Sequence, residues 1–116
     1  MTTQYFDDKA ATEKVVLTFD CSDELPSGVT VVSAAVDVSV LRGIDAAPTG
    51  ILNGAGSANA APITRDDGNI IAIGQAWLQG VQAGVVGAQY LIRALITTTD
   101  PKIVLNRSGI LPVTVA

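Results

Sequence analysis

Gly84-Val-Val-Gly-Ala-Gln-Tyr-Leu-Ile-Arg-Ala-Leu-Ile-Thr-Thr98 decides the fold class. From Tyr90 onward its residues alternate, with Tyr90, Ile92, Ala94 and Ile96 on one side and Leu91, Arg93, Leu95 and Thr97 on the other. Successive side chains of an extended chain point to opposite faces, so this period of two marks a half-buried β-strand. The glycines before it make a turn. A tyrosine just after such a turn, near the start of the penultimate strand, predicts a tyrosine corner, its hydroxyl bonded back to upstream backbone. Downstream, Thr98-Thr99-Asp100-Pro101 closes the strand, a hairpin partner is expected over residues 102–105, and residues 111–115 extend to the end. Pro112 suggests an edge position or a strand start there, because proline cannot donate to a ladder.

The same period recurs upstream. In residues 14–20, Val15, Leu17 and Phe19 oppose Lys14, Val16, Thr18 and Asp20. Pro26-Ser27-Gly28 is a turn signal. Residues 29–41 set Val32, Ala34, Val36, Val38 and Val40 against Val31, Ser33, Ala35, Asp37 and Ser39. At roughly 3.3 Å per residue this strand runs about 40 Å, long enough to cross between sheets or project beyond the core. Between Arg42 and Asn69 the pattern breaks on prolines and glycines, with brief apolar pieces at Gly50-Ile51-Leu52 and near Ile63. A segment of this length reads either as a loosely packed long loop or as a surface that orders against a neighbour, and removing residues 50–61 is expected to leave the domain folded. Asp66-Asp67-Gly68-Asn69 is a tight-turn sequence. Residues 70–78 follow as a strand with Ile71, Ile73 and Trp77 roughly on one face and Gly74 at a bulge. Six to eight short strands separated by turns give an all-β fold: an antiparallel, immunoglobulin-like β-sandwich of about seven strands with a long irregular middle loop. The sandwich is expected over residues 13–116 as a single domain, with residues 1–12 a flexible N-terminal arm that orders on assembly.

The 116 residues suffice for one core without disulfides or metal. Hydrophobic residues are 48% of the chain and charged residues only 16%, which excludes intrinsic disorder and leaves apolar surface for another subunit to cover. Seven basic against eleven acidic residues give a net charge of −4, which argues against a nucleic-acid partner. Histidine is absent and Cys21 is the single cysteine, so His-based acid–base catalysis, the usual Cys/His zinc sites and an intrachain disulfide are excluded. Residues 1–8 do not read as a signal peptide, and no run of about 18 apolar residues predicts a membrane span. The lone cysteine fits synthesis in a reducing cytosol.

The remaining candidates for chemistry are acidic. Asp20, Asp23 and Glu24 cluster at the end of one strand, and Asp66 and Asp67 sit in a turn. Paired carboxylates can serve glycoside hydrolysis or hold calcium. Neither group has calcium-loop spacing, and Asp20-Cys-Ser-Asp23 reads as a turn capped by its own side chains. Cys21 has no histidine to activate it and no second thiol to resolve it. Gly54-Ala-Gly56 lacks the βαβ setting of a dinucleotide site, and Trp77 reads as core. No catalytic, cofactor-binding or metal-ligating residue is assigned; the chain is not expected to be an enzyme or to carry a cofactor.

Three segments resemble a family of small structural proteins of tailed phages and prophages. Thr18-Phe-Asp-Cys-Ser-Asp-Glu-Leu-Pro-Ser-Gly-Val-Thr30 is similar to the family's Phe-Asp-Trp-Ser-Asp followed by leucine, a turn and an extended strand. Residues 80–98 are similar to its glycine-rich turn, tyrosine and Ile-Thr-Thr strand, and Leu111-Pro-Val113 fits its ending. Cys21 stands where many members carry tryptophan, and Pro101-Lys-Ile-Val104 replaces a Gly-Arg turn. The resemblance implies a one-domain β-sandwich of the fibre–tail adaptor or head–tail connector kind. Such a bacteriophage virion protein is made and assembled in the host cytoplasm and docks other virion subunits in the neck, tail or baseplate. A homo-oligomeric ring is the expected form, with neither nucleic acid nor membrane as partner. A capsid decoration protein is the alternative, and a carbohydrate-binding module a more distant one.

Overall fold

The computed structural model describes residues 3–115. Within them the chain forms β1 (Thr3–Tyr5), β2 (Lys9–Ala10), β3 (Val15–Asp20), β4 (Val31–Arg42), β5 (Ser57–Ala58), β6 (Ile63–Thr64), β7 (Ile70–Ile71), β8 (Ala76–Val81), β9 (Gln89–Thr98) and β10 (Val104–Thr114), with a 3-10 turn at Pro48–Ile51. One sheet has the order β1–β10–β9–β4, with β2 also on β10; a second has the order β3–β8–β5; β6 and β7 form a separate hairpin. In an immunoglobulin-like sandwich strands B, E and D share one sheet and C, F and G the other. Here β3–β8–β5 and β4–β9–β10 fill those places, so the all-β sandwich expected from the alternation is the fold that forms.

The alternation also sets the core row by row. Val40, Tyr90 and Leu111 stand opposite one another across β4, β9 and β10, as do Val38, Ile92 and Gly109, then Ala34, Ile96 and Leu105. On the facing sheet, Phe19 pairs with Trp77, Leu17 with Gln79 and Val15 with Val81. The two inner faces meet in one cluster, in which Phe19, Tyr90, Ile92 and Ile96 are fully buried. Each large apolar side chain removed from water contributes about 1.5–3 kcal/mol.

Of residues 1–12, expected as a flexible arm, residues 3–5 and 9–10 form strands, while Met1 and Thr2 lie outside the described residues. β1 and β2 run parallel to β10, with Tyr5 beside Ile110 and Lys9 beside Val113. Phe6 packs over Gly109, and its ring meets that of Phe19 edge-on with centroids 5.4 Å apart. Lys9 is buried, and its ammonium donates to the carbonyls of Ala10, Ala11 and Ala83. Pro112 sits within one continuous β10, not at an edge or a strand start. The Ile110 and Thr114 carbonyls accept from the amides of Phe6 and Ala11, so even-numbered residues of β10 face the N-terminal strands. The missing N–H of Pro112 thus falls opposite the gap where the chain leaves β10 between β1 and β2.

Four further expectations change. β4 pairs with β9 along its length and does not cross between sheets. A register shift between Val31 and Ser33 leaves Val32 in a bulge, so Val31 is buried and Val32 exposed, the reverse of strict alternation. Residues 70–78 are not one strand, because Gly74, at φ 78°, turns the chain between β7 and β8 and leaves Ile73 in solvent. Finally, the middle segment is largely irregular as expected, but part of it forms an edge of the smaller sheet. Leu52 bridges Val81, and β5 pairs Ala58 with Trp77. Asn59 fixes it from within: its Oδ1 accepts from the Ala76 amide, while Nδ2 donates to the carbonyls of Ala61 and Ala72.

Candidate functional site

The tyrosine corner forms as the sequence predicts. Tyr90 Oη accepts from the Val85 amide at 2.9 Å and donates to Asp45 Oδ2 at 2.7 Å. Asp45 carries no local signal for this role; it ties the segment after β4 to the start of β9. The Tyr90 hydroxyl, and after it the Ala47 amide, hold the Asp45 carboxyl below its usual range. A depressed folded value stabilises the protein fully above the ordinary carboxylate pKa of about 4, and that contribution is lost as pH falls through the folded value. The urea midpoint of the wild type should therefore drop more than that of Asp45→Asn between about pH 5 and pH 2. Tyr90→Phe should cost about 1–3 kcal/mol at neutral pH, since it leaves the Val85 amide without its acceptor.

The two acidic groups come together through a residue that spacing did not single out. Arg65 Nη1 lies 3.0 Å from Asp20 Oδ2, and Arg65 Nη2 lies 2.9 Å from Asp67 Oδ2. Asp20 Oδ1 meanwhile accepts from both the amide and the hydroxyl of Ser22, the turn-capping role expected of it. Asp67 likewise caps its own turn by accepting from the Asn69 amide. Glu24 pairs with Arg107 at 3.2 Å. Asp20, Glu24 and Asp67 are thus engaged in turns and ion pairs, while Asp23 and Asp66 are exposed. Among the described residues no three His, Cys, Asp or Glu side chains gather to hold a metal ion. No helix of the structure is long and apolar enough to cross a membrane.

Cys21 is fully buried, its sulfur 3.7 Å from the Phe19 carbonyl oxygen. Burial pushes its thiol up to about 11, against the partial pull of Arg107. Nucleophilic attack requires the thiolate, so alkylation of the native protein by iodoacetamide near pH 8 should run roughly a hundredfold slower than in urea, as read by mass spectrometry. Equal rates would mean that the core opens readily at β3. Trp77 belongs to the inner face at 5% exposure, and Gly56 packs so close that a Cβ there would lie 2.5 Å from Nε1. Gly54 accepts from Gln79 Nε2, so the Gly54-Ala-Gly56 stretch serves the edge of β8.

What the molecule presents outward is surface of two kinds. The outer face of the larger sheet carries the rows Ser39–Leu91–Ile110–Tyr5, Asp37–Arg93–Ser108 and Ala35–Leu95–Asn106, then Ser33–Thr97–Val104. Tyr5, Leu95 and Val104 are 75%, 52% and 50% exposed. The other feature is a groove of about 720 Å³ between the N-terminal strands, β3 and the β6–β7 hairpin, with Val16, Thr18 and Ile63 in its walls and Asp7, Asp8 and Asp66 around it. No family model, curated protein or solved structure matches the chain.

Proposed function

We propose that the chain is a bacteriophage virion protein, an adaptor or connector that docks subunits in the neck, tail or baseplate. The observation that carries this reading is the outer face of the β4–β9–β10 sheet, where half-buried Leu91 and Ile110, with Tyr5 beside them, and exposed Leu95 and Val104 lie on either side of the charged Asp37–Arg93 row. A sheet face of this composition is stable in solution when a neighbour covers it. The resemblance of residues 18–30 and 80–98 to phage structural proteins supplies the virion setting. Repetition around a symmetric ring multiplies a modest contact into a firm one. The work is done by shape and apolar complementarity, and no bond is made or broken.

Particles produced with Leu95→Asp protein test the reading. Leu95 is half exposed in the centre of β9, so aspartate, a poor strand former, should cost about 1 kcal/mol and leave the isolated protein folded. The variant should nevertheless be missing from purified particles. Incorporation of Leu95→Asp at the wild-type level would overturn the assignment of this face. Copy number in wild-type particles separates the alternatives: about six to a few dozen fit a ring on the tail axis, whereas hundreds fit a capsid decoration protein.

A further inference from the structure

We propose that the free edge of β3 is a strand-docking site for an extended, basic segment of a partner protein. The inference rests on the docking reading above and names one surface of it. In an immunoglobulin-like sandwich the first strand runs beside B and completes the sheet A–B–E–D. In this chain the first strands, β1 and β2, lie on β10 in the opposite sheet. β3 fills the B place, and among the described residues it pairs with β8 alone.

The register shows which groups are left over. The Cys21 amide donates to the Gln75 carbonyl at the end of the β3–β8 ladder, so the odd-numbered residues of β3 turn their backbone groups toward β8. Those of Val16, Thr18 and Asp20 turn the other way, along the groove. Side chains satisfy two of the carbonyls: Gln4 Nε2 donates to Thr18 O at 3.1 Å, and Arg107 Nε reaches Asp20 O at 3.4 Å. A side-chain amide from β1 thus stands where the N–H of a neighbouring strand would, while three backbone donors still face the groove.

Sheet edges invite pairing unless bulges, prolines or lysines guard them. β4, at the free edge of the larger sheet, carries register shifts after Val31 and after Val40. β3 keeps an unbroken register against β8, and its sequence Val-Val-Leu-Thr-Phe-Asp contains neither lysine nor proline. Val16 stands 64% exposed on it. The groove alongside, at about 720 Å³, lies within the roughly 300–1,000 Å³ of pockets that enclose whole ligands.

Charge selects the occupant. Asp7, Asp8, Asp20, Asp66 and Asp67 surround the groove. Lys9 points its ammonium at three backbone carbonyls, and Arg65 is shared between Asp20 and Asp67, which leaves Asp7, Asp8 and Asp66 outside the ion pairs and the rim net acidic. A second copy of this acidic chain would bring like charge to the same rim. An extended segment alternating apolar residues with Lys or Arg would pair with the edge through its backbone and meet the carboxylates with its basic row.

Selection of displayed random decapeptides on the full chain, followed by hydrogen exchange of the complex, tests this. The enriched peptides should alternate apolar residues with Lys or Arg and slow exchange at the amides of Val16, Thr18 and Asp20. Val16→Pro removes one groove-facing donor and no bond to β8, so it should weaken binding about tenfold. Asp7→Lys with Asp66→Lys, both at exposed positions, should weaken it similarly and flatten its salt dependence. Enrichment of acidic or patternless peptides, no enrichment, or unchanged exchange at the three amides would overturn the proposal. Protection that grows with protein concentration in the absence of peptide would overturn it too, by making a second copy the occupant. The adaptor reading fails separately: particles that exclude Leu95→Asp protein but accept the Asp7→Lys, Asp66→Lys variant at full level keep that reading and remove the groove from it.

Discussion

Excision of residues 50–61 should abolish cooperative unfolding and send the chain into the insoluble fraction. By composition this stretch is the dispensable contact loop; by position it is the outer edge of the smaller sheet. Ile51, at 2% exposure, is part of the core, and Ala58 packs against it. Truncating one buried isoleucine to alanine costs about 2–5 kcal/mol, a large share of the about 5–15 kcal/mol by which a whole domain is stable. The deletion also strips the backbone of β8. The Gly80 carbonyl would lose the Asn53 amide, the Ala76 carbonyl the Asn59 amide, and the Ala76 amide the Asn59 side chain. Gln79, buried, would lose the Gly54 carbonyl. Gln79 Nε2 and the Gly80 carbonyl would keep each other, but the Ala76 amide and carbonyl would be left without partners, at about 1–3 kcal/mol each. A far-UV circular dichroism melt of the refolded deletion protein checks this; a soluble product with a sharp transition would mean that β8 closes the sheet unaided.

The contrast between that segment and the β9 region shows what a sequence encodes locally. Tyr90, Ile92, Ala94 and Ile96 can be assigned to a face without knowing their neighbours, because the period of two belongs to the strand itself. The same holds for Val15, Leu17 and Phe19, and the tyrosine corner is legible because its turn and its tyrosine are adjacent. Val32 is not legible in this way. Its bulge exists only in relation to β9, and the partner decides which of Val31 and Val32 turns inward. Asn59 and Gln79 look like loop and surface residues, yet they are buried because backbone amides and carbonyls of β8 and its neighbours need side-chain partners. Lys9, among Asp7, Asp8 and Glu13, reads as solvated; its burial depends on a carbonyl 74 residues away, that of Ala83. The candidate surfaces divide likewise. Leu95 and Leu91 on the outer face follow from alternation, whereas the groove arises from sheet order, and Arg65 joins two acidic turns that no spacing rule connects.

Gly109→Val should undock the N-terminal strands and lower stability by about 2–4 kcal/mol, because overpacking and the loss of a phenylalanine contact act together. Gly109 lies on the inner face of β10, directly beneath the Phe6 ring; a Cβ there would come within 2.7 Å of Phe6 Cζ. The neighbouring ring contact with Phe19 leaves Phe6 little room to retreat into the core. Its escape is outward, carrying β1 and β2 with it and exposing Lys9. Trypsin provides the readout, since cleavage after Lys9 should be slow in the wild type and fast in the variant, alongside a lowered urea midpoint. Phe6→Ala should cost a similar amount by removing the same packing. The decisive measurement is the pair. Valine suits an extended backbone better than glycine, so once the Phe6 ring is gone, Gly109→Val should be neutral or stabilising. Losses that simply add would mean that the valine harms β10 for its own reasons and that the ring is not what holds β1 and β2 to the sheet.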